Sequence, residues 1–307
     1  MKEQFVGHHF NDESTKLIEI ANGILVEYAG QGYRLSLRQL YYQLVARDFI
    51  PNSIRSYKRI GGLVSDARLA GLLDWDMIED RGRETVINGH WNNPGEIVGA
   101  AARQFQLDHW KRQSNYVEVM VEKDALSGIL EPVCRRLDVR FTANKGYSSS
   151  SALYECSKRL YDAMEEEKEI HILYFGDHDP SGIDMTRDIL DRLNLFTYSR
   201  GIEVHRLALN YDQVEKWSPP ENPAKESDSR YTAYMEQFGE SSWELDAVEP
   251  NELVRLVEKM VKTLVDEDLM TKVLKEEEHM KQTLASVAAK WDEFDSADED
   301  EDEIEEE

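Results

Sequence analysis

Short apolar runs alternate with helical patterns along the second half of the chain. Runs rich in β-branched and aromatic residues predict four strands, at about 117–121, 139–142, 170–176 and 203–209. Stretches with helical spacing of apolar residues separate these runs. Because strand–helix alternation favours a parallel sheet with helices on both faces, we predict an α/β domain over residues 116–248.

The first half of the chain has a helical pattern instead. Apolar positions at helical spacing predict three helices, at about 13–28, 37–45 and 53–69. Residues 72–89 then predict a small β-wing, with Asp80-Arg81-Gly82-Arg83 as its turn. Three helices and a wing form a winged helix, a common DNA-reading module. We assign this domain to residues 1–92 and a linker helix to residues 93–115.

Two further patterns occupy the end of the chain. Leucine, valine and methionine recur at helical spacing in residues 249–291, which predicts two C-terminal helices. Residues 292–307 hold 12 acids, no bases and almost no apolar side chains. Such a segment cannot bury enough apolar surface to fold, so we expect a disordered acidic tail.

Charge is distributed unevenly along the 307 residues, whose formal net charge is −25. From residue 34 to residue 68 there are seven bases and two acids, so this segment carries a charge of +5. A basic segment in an acidic protein favours a DNA-binding face, although a solvated helical surface stays open as an alternative. The candidate DNA-contacting residues on it are Arg34, Arg55, Lys58, Arg59 and Arg68.

Cysteine usage and hydropathy indicate a cellular compartment. The two cysteines, Cys134 and Cys156, have neither the spacing of a zinc site nor the density of a disulfide framework, which fits a reducing cytosol. No apolar run approaches the roughly 18 residues that a membrane span needs, and the N-terminus lacks the apolar region of a signal peptide. We therefore expect a cytoplasmic protein with no membrane partner, associated with the nucleoid if it is prokaryotic or viral.

Acidic residues follow two of the predicted strands. Glu122 follows the first strand of the α/β domain, and Asp177 and Asp179 follow the third. Because the carboxyl ends of parallel strands form the ligand edge of an open sheet, we expect these carboxylates on one rim. Three converging carboxylates repel each other unless a hard cation neutralises them, and Mg²⁺ is the usual one in phosphate chemistry. The sequence predicts a Mg²⁺ site, while an N-cap role for Asp179 stays open.

These motifs resemble those of a known family. Glu122 and the run Asp177–Gly182 are similar to the Toprim domain of topoisomerases, primases and some nucleases. Arg38-Gln39-Leu40-Tyr41-Tyr42 on the basic helix, with Lys145-Gly146-Tyr147 between the acid motifs, resembles the A subunit of topoisomerase VI and the meiotic double-strand-break proteins. The small size of the chain is similar to that of the stand-alone relatives called Mini-A. The resemblance implies a CAP-like winged helix followed by a Toprim domain.

The resemblance also implies a reaction. Tyr42 would attack a DNA phosphodiester and form a 5′-phosphotyrosyl link, while Glu122, Asp177 and Asp179 would bind Mg²⁺. Arg38 lies four residues before Tyr42 on the same helical face, so its guanidinium is expected to grip the phosphate. Each protomer would cut one strand, so a double-strand break needs a homodimer in which Tyr42 works with the metal site of the other subunit.

Partners and alternatives complete these expectations. Lys123 and Lys145 are further candidate DNA contacts, although Lys123 could equally face solvent. Relaxation of DNA would need a separate ATPase subunit, since no nucleotide-binding motif is evident in the chain. Two other functions stay open. A Toprim nuclease would hydrolyse nucleic acid with water and leave Tyr42 structural, and a non-enzymatic DNA-binding regulator would use the acids only to hold an ion.

Overall fold

The structure, a computed structural model, describes residues 2–79, 88–144, 150–199 and 201–291. Its contacts divide the chain into two compact units. The first comprises Met1–Arg83 and Ser114–Leu264, and the second comprises Glu84–Gln113 and Val265–Glu307.

The described residues form helices in both units and strands in the first. In chain order the helices are α1 (Asp12–Gly30), α2 (Leu37–Ala46), α3 (Ile54–Leu69), α4 (Pro94–Gln104), α5 (Ser127–Arg136), α6 (Ser150–Glu165), α7 (Pro180–Thr197), α8 (Tyr211–Trp217), α9 (Tyr231–Phe238), α10 (Pro250–Leu264) and α11 (Glu267–Ala289). The strands are β1 (Leu35–Ser36), β2 (Ile78–Glu79), β3 (Asn115–Val121), β4 (Arg140–Ala143), β5 (Glu169–Phe175), β6 (Ile202–Ala208), β7 (Glu221–Pro223) and β8 (Ser241–Trp243).

Helices α1, α2 and α3 pack around one apolar core in the first unit. Helix α2 begins at a capping box, in which the Ser36 hydroxyl accepts from the Gln39 N–H and the Gln39 side chain accepts from the Ser36 N–H. Buried apolar side chains from all three helices fill the core, among them Leu25, Leu40, Leu44 and Ile60. The three helices therefore agree with the sequence pattern.

The segment in which a β-wing was expected is described only in part. Up to Glu79 it forms a 3₁₀ turn at Trp75–Met77 and strand β2, which pairs in parallel with β1. Residues 80–87, which include the expected turn, lie outside the described residues. What is described of this region is thus a parallel pairing of two short strands, and the wing stays a prediction.

Strands β3 to β6 form the four-stranded parallel sheet that the sequence predicts. Their order across the sheet is β4-β3-β5-β6. Apolar side chains of β5 pack with helices α6 and α7, for example Ile172 with Leu160 and Ile189 in one buried cluster. The runs of buried β-branched and aromatic residues form strands here because a parallel sheet has both faces covered.

The strand order creates a switch point at the carboxyl edge of the sheet. The chain moves outward from β3 to β4 on one side and from β5 to β6 on the other, so the connections diverge between β3 and β5. Ligands of open α/β sheets bind in the crevice at this point. Glu122 and Asp177 follow these two central strands, which positions both acids at the crevice.

The second unit contains α4 and α11, which pack against each other. The buried Glu277 of α11 accepts a hydrogen bond from the Leu107 N–H at 2.9 Å and lies 2.7 Å from His109 Nε2. The expected linker helix over residues 93–115 is thus a shorter helix, α4, within this unit. The acidic tail expected over residues 292–307 lies outside the described residues. Among the described helices, none combines the length and the apolar character that a bilayer crossing requires.

Candidate functional site

Glu122 and Asp177 meet at the switch point. The register pairs Val121 with Phe175, and the Glu122 N–H donates to the Phe175 carbonyl at 2.9 Å, which extends the pairing by one residue. The Asp177 N–H then donates to Glu122 Oε2 at 3.0 Å. Both side chains are buried. The prediction that these two acids lie on one rim of the sheet therefore agrees with the geometry.

Arg206 and Gly182 fix the conformation of the loop that contains Asp177. The Arg206 guanidinium donates to the carbonyl of Asp177 at 2.5 Å and to that of Gly182 at 2.8 Å. Gly182 approaches the loop so closely that an added Cβ would lie 2.2 Å from the Asp177 carbonyl oxygen. Only glycine fits there, because any side chain would push the loop and the Asp177 carboxylate out of position.

Asp179 has a different role from its two neighbours on the rim. Its carboxylate accepts from the Gly182 N–H at 2.6 Å and from the Ser181 hydroxyl at 2.9 Å, so it caps helix α7. The described residues contain one group of three His, Cys, Asp or Glu side chains whose ligand atoms lie within 4.8 Å of one another, and it does not include these acids. The structure therefore brings Glu122 and Asp177 together and engages Asp179 as an N-cap.

Two acids that the sequence analysis did not single out join the rim. Lys123 Nζ lies 2.5 Å from Asp177, 2.9 Å from Glu244 and 3.2 Å from Asp246. We call the residues Glu122, Lys123, Asp177, Glu244 and Asp246 the acid network. The Lys123 ammonium supplies positive charge among three carboxylates, instead of lying at the surface where it could contact DNA or solvent.

Burial controls the protonation of the acid network. Burial and the nearby Asp177 together raise the pKa of Glu122 to about 7. Burial also raises the pKa of Asp177, although Lys123 opposes this. For Lys123 burial acts to lower the pKa, but Asp177, Asp246 and Glu244 raise it overall. Neither oxygen of the buried Asp246 carboxylate accepts a hydrogen bond from the described residues. This buried set of acids therefore needs positive charge to stay ionised.

Helix α2 connects the candidate nucleophile to the acid network. Arg38 forms an ion pair with Glu244, and its Nε lies 3.6 Å from Asp246 Oδ2. The Arg38 guanidinium also lies 6.0 Å from the centre of the Tyr42 ring, as expected for residues four apart on one helical face. The phenol, the guanidinium and the acids therefore belong to one continuous set of contacts within a single chain.

Tyr42 itself is buried, with 3% of its surface exposed. Its hydroxyl accepts a hydrogen bond from the Asn222 side-chain amide at 3.3 Å. Burial and the Glu244 charge raise the pKa of the phenol to about 12, while the Asn222 hydrogen bond and Arg38 act in the opposite direction. A phenol in this setting keeps its proton unless a further positive charge or a base reaches it.

Tyr41 also has a buried ring, but its hydroxyl is fully engaged within the protein. It donates to Asn52 Oδ1 at 2.8 Å and accepts from the Ser53 N–H at 2.8 Å, which links α2 to the start of α3. Tyr41 thus belongs to the buried core of the first unit. Tyr41 and Tyr42 together line an open cleft of about 470 Å³, whose other walls include Arg38, Tyr57, Asn222 and Glu244.

The candidate DNA-contacting bases fall into two groups. Arg59 pairs with Glu13 at 2.7 Å, and Arg68 donates to the Trp75 and Ile78 carbonyls at 2.9 Å each. The side chains of Arg34, Arg55 and Lys58 are exposed and make no hydrogen bond or ion pair with the described part of the chain. Lys145 lies outside the described residues.

The sequence around Glu244 and Asp246 contains a pattern that indicates their role. The run Glu244-Leu245-Asp246 repeats the acid-x-acid spacing of Asp177-His178-Asp179. Strand β8, which precedes it, joins the rim through two hydrogen bonds between the backbones of His178 and Trp243, both 2.9 Å. The Leu245 N–H also donates to Asp177 Oδ1 at 2.8 Å. This pairing across more than 60 residues brings the second acidic run to the first.

No model of a protein family matches the chain, and a search of curated proteins found no similar sequence.

Proposed function

We propose that the protein cleaves double-stranded DNA by Mg²⁺-dependent tyrosine transesterification, like the A subunit of topoisomerase VI that its motifs resemble. One observation carries this proposal. Charged contacts run from Arg38 beside Tyr42, through Glu244 and Lys123, to Asp177 at the switch point of the sheet. A phenol, a guanidinium and a set of carboxylates in one continuous arrangement are the parts that phosphodiester cleavage by tyrosine needs.

The donor type at the rim suits Mg²⁺, but the acids would have to draw closer to share one ion, because no three of them in the described residues bring ligand atoms within 4.8 Å of one another. The donors at the rim are carboxylate oxygens, which Mg²⁺ prefers, and within the described part of the chain neither oxygen of the buried Asp246 accepts a hydrogen bond. Glu122, Asp177 and Asp246 would hold the ion, and Asp179 could join them by leaving its N-cap. Bound there, Mg²⁺ would neutralise charge on the phosphate and on the leaving 3′ oxygen.

The side chains on α2 would carry the transfer itself. The Tyr42 oxygen forms a bond to phosphorus, the bond to the 3′ oxygen breaks, the phenol loses its proton and the 3′ oxygen gains one. Arg38 is paired with Glu244 in the DNA-free protein, and an incoming phosphate would compete for its guanidinium. That exchange would set two donors on the phosphate beside the phenol and favour the phenolate.

Double-strand cleavage extends this proposal to a dimer. Each protomer has one Tyr42, so two copies are needed to cut both strands. The resemblance implies that Tyr42 of one subunit works with the acids of the other, and this stays a prediction. A separate ATPase subunit, also implied by the resemblance, would be needed only for strand passage.

Metal-dependent hydrolysis is the second candidate function, and the burial of Tyr42 favours it. A phenol with a pKa raised to about 12 is a weak nucleophile at neutral pH. If it stays protonated, water held at the acid network would attack phosphorus and leave Tyr42 as a packing residue. The products distinguish the two reactions, because only transesterification leaves protein on the DNA ends.

A cleavage assay with matched tyrosine variants tests the proposal. Supercoiled plasmid is incubated with the protein and MgCl₂, stopped with denaturant and run with and without protease. We expect protein-linked breaks for the native chain, none for Tyr42→Phe, and near-native levels for Tyr41→Phe, which also loses one buried hydroxyl. Free ends that persist in Tyr42→Phe would support the hydrolase. No cleavage at any Mg²⁺ concentration would contradict both reactions and favour a DNA-binding regulator.

A further inference from the structure

Two histidines and a glutamate meet on strands β5 and β6, away from the acid network. His171 and Glu203 are paired in the register of these neighbouring strands. His205 follows Glu203 by two residues, so its side chain lies on the same face of the sheet. We call His171, Glu203 and His205 the histidine cluster. Their ligand atoms lie within 4.8 Å of one another.

The spacing of these atoms matches a zinc coordination shell. His171 Nδ1 lies 3.0 Å from His205 Nε2 and 3.6 Å from Glu203 Oε2, and His205 Nε2 lies 3.3 Å from the same oxygen. Tetrahedral zinc with bonds of about 2.0–2.1 Å separates its nitrogen and oxygen ligands by roughly 3.3–3.4 Å. The three observed distances lie around this value, so one ion could contact all three atoms with little rearrangement.

A second layer of hydrogen bonds orients the buried histidine. The Asn115 amide N–H₂ donates to the Leu264 carbonyl at 2.6 Å, which turns the Asn115 oxygen toward the His171 ring. That oxygen lies 3.2 Å from His171 Nε2, so the Nε2 hydrogen is donated to it. The Nδ1 lone pair of His171 then faces the cluster. Metal-binding histidines commonly have such a partner on their second nitrogen.

The three side chains of the histidine cluster range from buried to exposed, so an ion bound by them would be open to solvent on one side. The His171 ring is buried, the His205 side chain is partly buried, and the Glu203 side chain is mostly exposed. Three protein ligands with an open side leave room for water as a fourth ligand. With no ion, one hydrogen lies between the two close imidazole nitrogens. A metal ion would take the place of that hydrogen, and His205 would then carry its one ring hydrogen on Nδ1 instead.

We propose that the histidine cluster binds a Zn²⁺ ion, which links the central strand β5 to the edge strand β6. This site does not depend on the DNA-cleavage proposal. His171 precedes Asp177 by six residues along an extended chain, a distance of roughly 20 Å. The donors differ too, because imidazole nitrogens select zinc over Mg²⁺, whereas the acid network offers only oxygens. The ion would stabilise the sheet rather than take part in cleavage.

Calorimetric titration of the metal-stripped full chain with ZnCl₂ tests this site. We expect one tight site per chain that excess MgCl₂ does not displace, together with a rise in melting temperature. Asn115→Ala should weaken binding by about 10–100-fold, as expected for loss of a second-layer partner. His205→Gln and Glu203→Gln should weaken it at least as much. Both ligand residues lie at the surface of the sheet, so circular dichroism should report a native fold.

The N-terminal histidines provide the matched control. His8 and His9 are adjacent and exposed, so they could bind zinc in a titration independently of the histidine cluster. The double variant His8→Gln/His9→Gln should bind zinc as tightly as the native chain. Tight binding that survives in His205→Gln, or that disappears in the N-terminal double variant, would overturn the proposal. Absence of a tight site in the native chain would overturn it as well.

Discussion

The acid network lies at the carboxyl edge of the parallel sheet and the histidine cluster lies on its face, and the two sites differ in how their charge is compensated. The acid network contains four carboxylates and its own cation, the Lys123 ammonium. The histidine cluster contains one carboxylate and two imidazoles, and among the described residues no lysine or arginine pairs with Glu203. Buried charge must be compensated wherever it occurs. The cation that each site can accept is therefore determined by the type of ligand atom and by how far protein cations already balance the charge, rather than by the strands themselves.

The largest expected effect separates the two sites by function. Asp177→Asn keeps the shape of the rim but removes a charge next to Lys123 and Glu122. Loss of several kcal/mol of metal-dependent transition-state stabilisation corresponds to roughly a thousandfold slower cleavage. Zinc binding at the histidine cluster should be unchanged in this variant, and His205→Gln should have the reverse profile. Cleavage assays on gels and zinc titrations of the two variants check this. Equal loss of DNA cleavage and of zinc binding in either variant would show that the two sites are not independent.

Removal of the internal cation should affect stability next. Lys123→Met leaves Asp177, Glu244 and Asp246 without their ammonium, and stranding charge in this way costs about 3–5 kcal/mol of unfolding free energy. Urea denaturation measures the loss, and MgCl₂ should restore stability more in the variant than in the native chain because it replaces the missing positive charge.

Lys158→Met is the matched control for that experiment, since Lys158 pairs with Glu155 on an exposed helical surface. We expect little change in its stability, with or without MgCl₂. If Lys123→Met proved as stable as Lys158→Met, then Lys123 would contribute no compensation and the description of the acid network would be wrong.

The pH dependence of stability sharpens the comparison further. Burial and Asp177 raise the pKa of Glu122 from 4.5 to about 7, so the folded state holds this proton more tightly than the unfolded state. The resulting stability is fully present below pH 4.5 and is lost as the pH rises through about 7. In Glu122→Gln this loss should be absent, a difference of up to roughly 3 kcal/mol at pH 8. Denaturation curves between pH 5 and 8 check it, and parallel curves for both proteins would contradict the raised pKa.

The smallest expected effect concerns the basic surface of α3. Arg55 and Lys58 are exposed and unpaired within the described chain, whereas Arg59 pairs with Glu13. Arg55→Ala/Lys58→Ala should weaken DNA binding and lower the slope of log affinity against log salt by about two. Arg59→Ala should change the slope less, because its charge is already balanced. Binding measured at several salt concentrations distinguishes them, and identical slopes would remove α3 from the DNA surface.

The sequence was sufficient for features that depend on neighbouring residues. The apolar runs predicted strands, strand alternation predicted a parallel sheet, and strand ends located Glu122 and Asp177 on one rim. Each of these follows from periodicity within a few residues. The spacing of Arg38 and Tyr42 on one helical face follows in the same way.

Features built from distant segments were not predictable in this way. Glu244 and Asp246 reach the rim through the pairing of Trp243 with His178, and no local pattern indicates which strands will pair. Lys123 pairs with these two acids, so its place in the acid network was not predictable from the sequence either. His171 was also missed, because a single polar residue within an apolar strand gives no indication of its neighbour on β6. The burial of Tyr42 depends in part on Asn222, which lies 180 residues away.

One measurement tests the proposed DNA cleavage most directly. The protein is incubated with DNA and MgCl₂, denatured, digested with a protease, and the peptide that remains linked to DNA is identified by mass spectrometry. The proposal predicts a 5′-phosphotyrosyl link on the peptide that contains Tyr42, formed only when Mg²⁺ is present. Cut DNA without any linked peptide, or a link to a residue other than Tyr42, would contradict it.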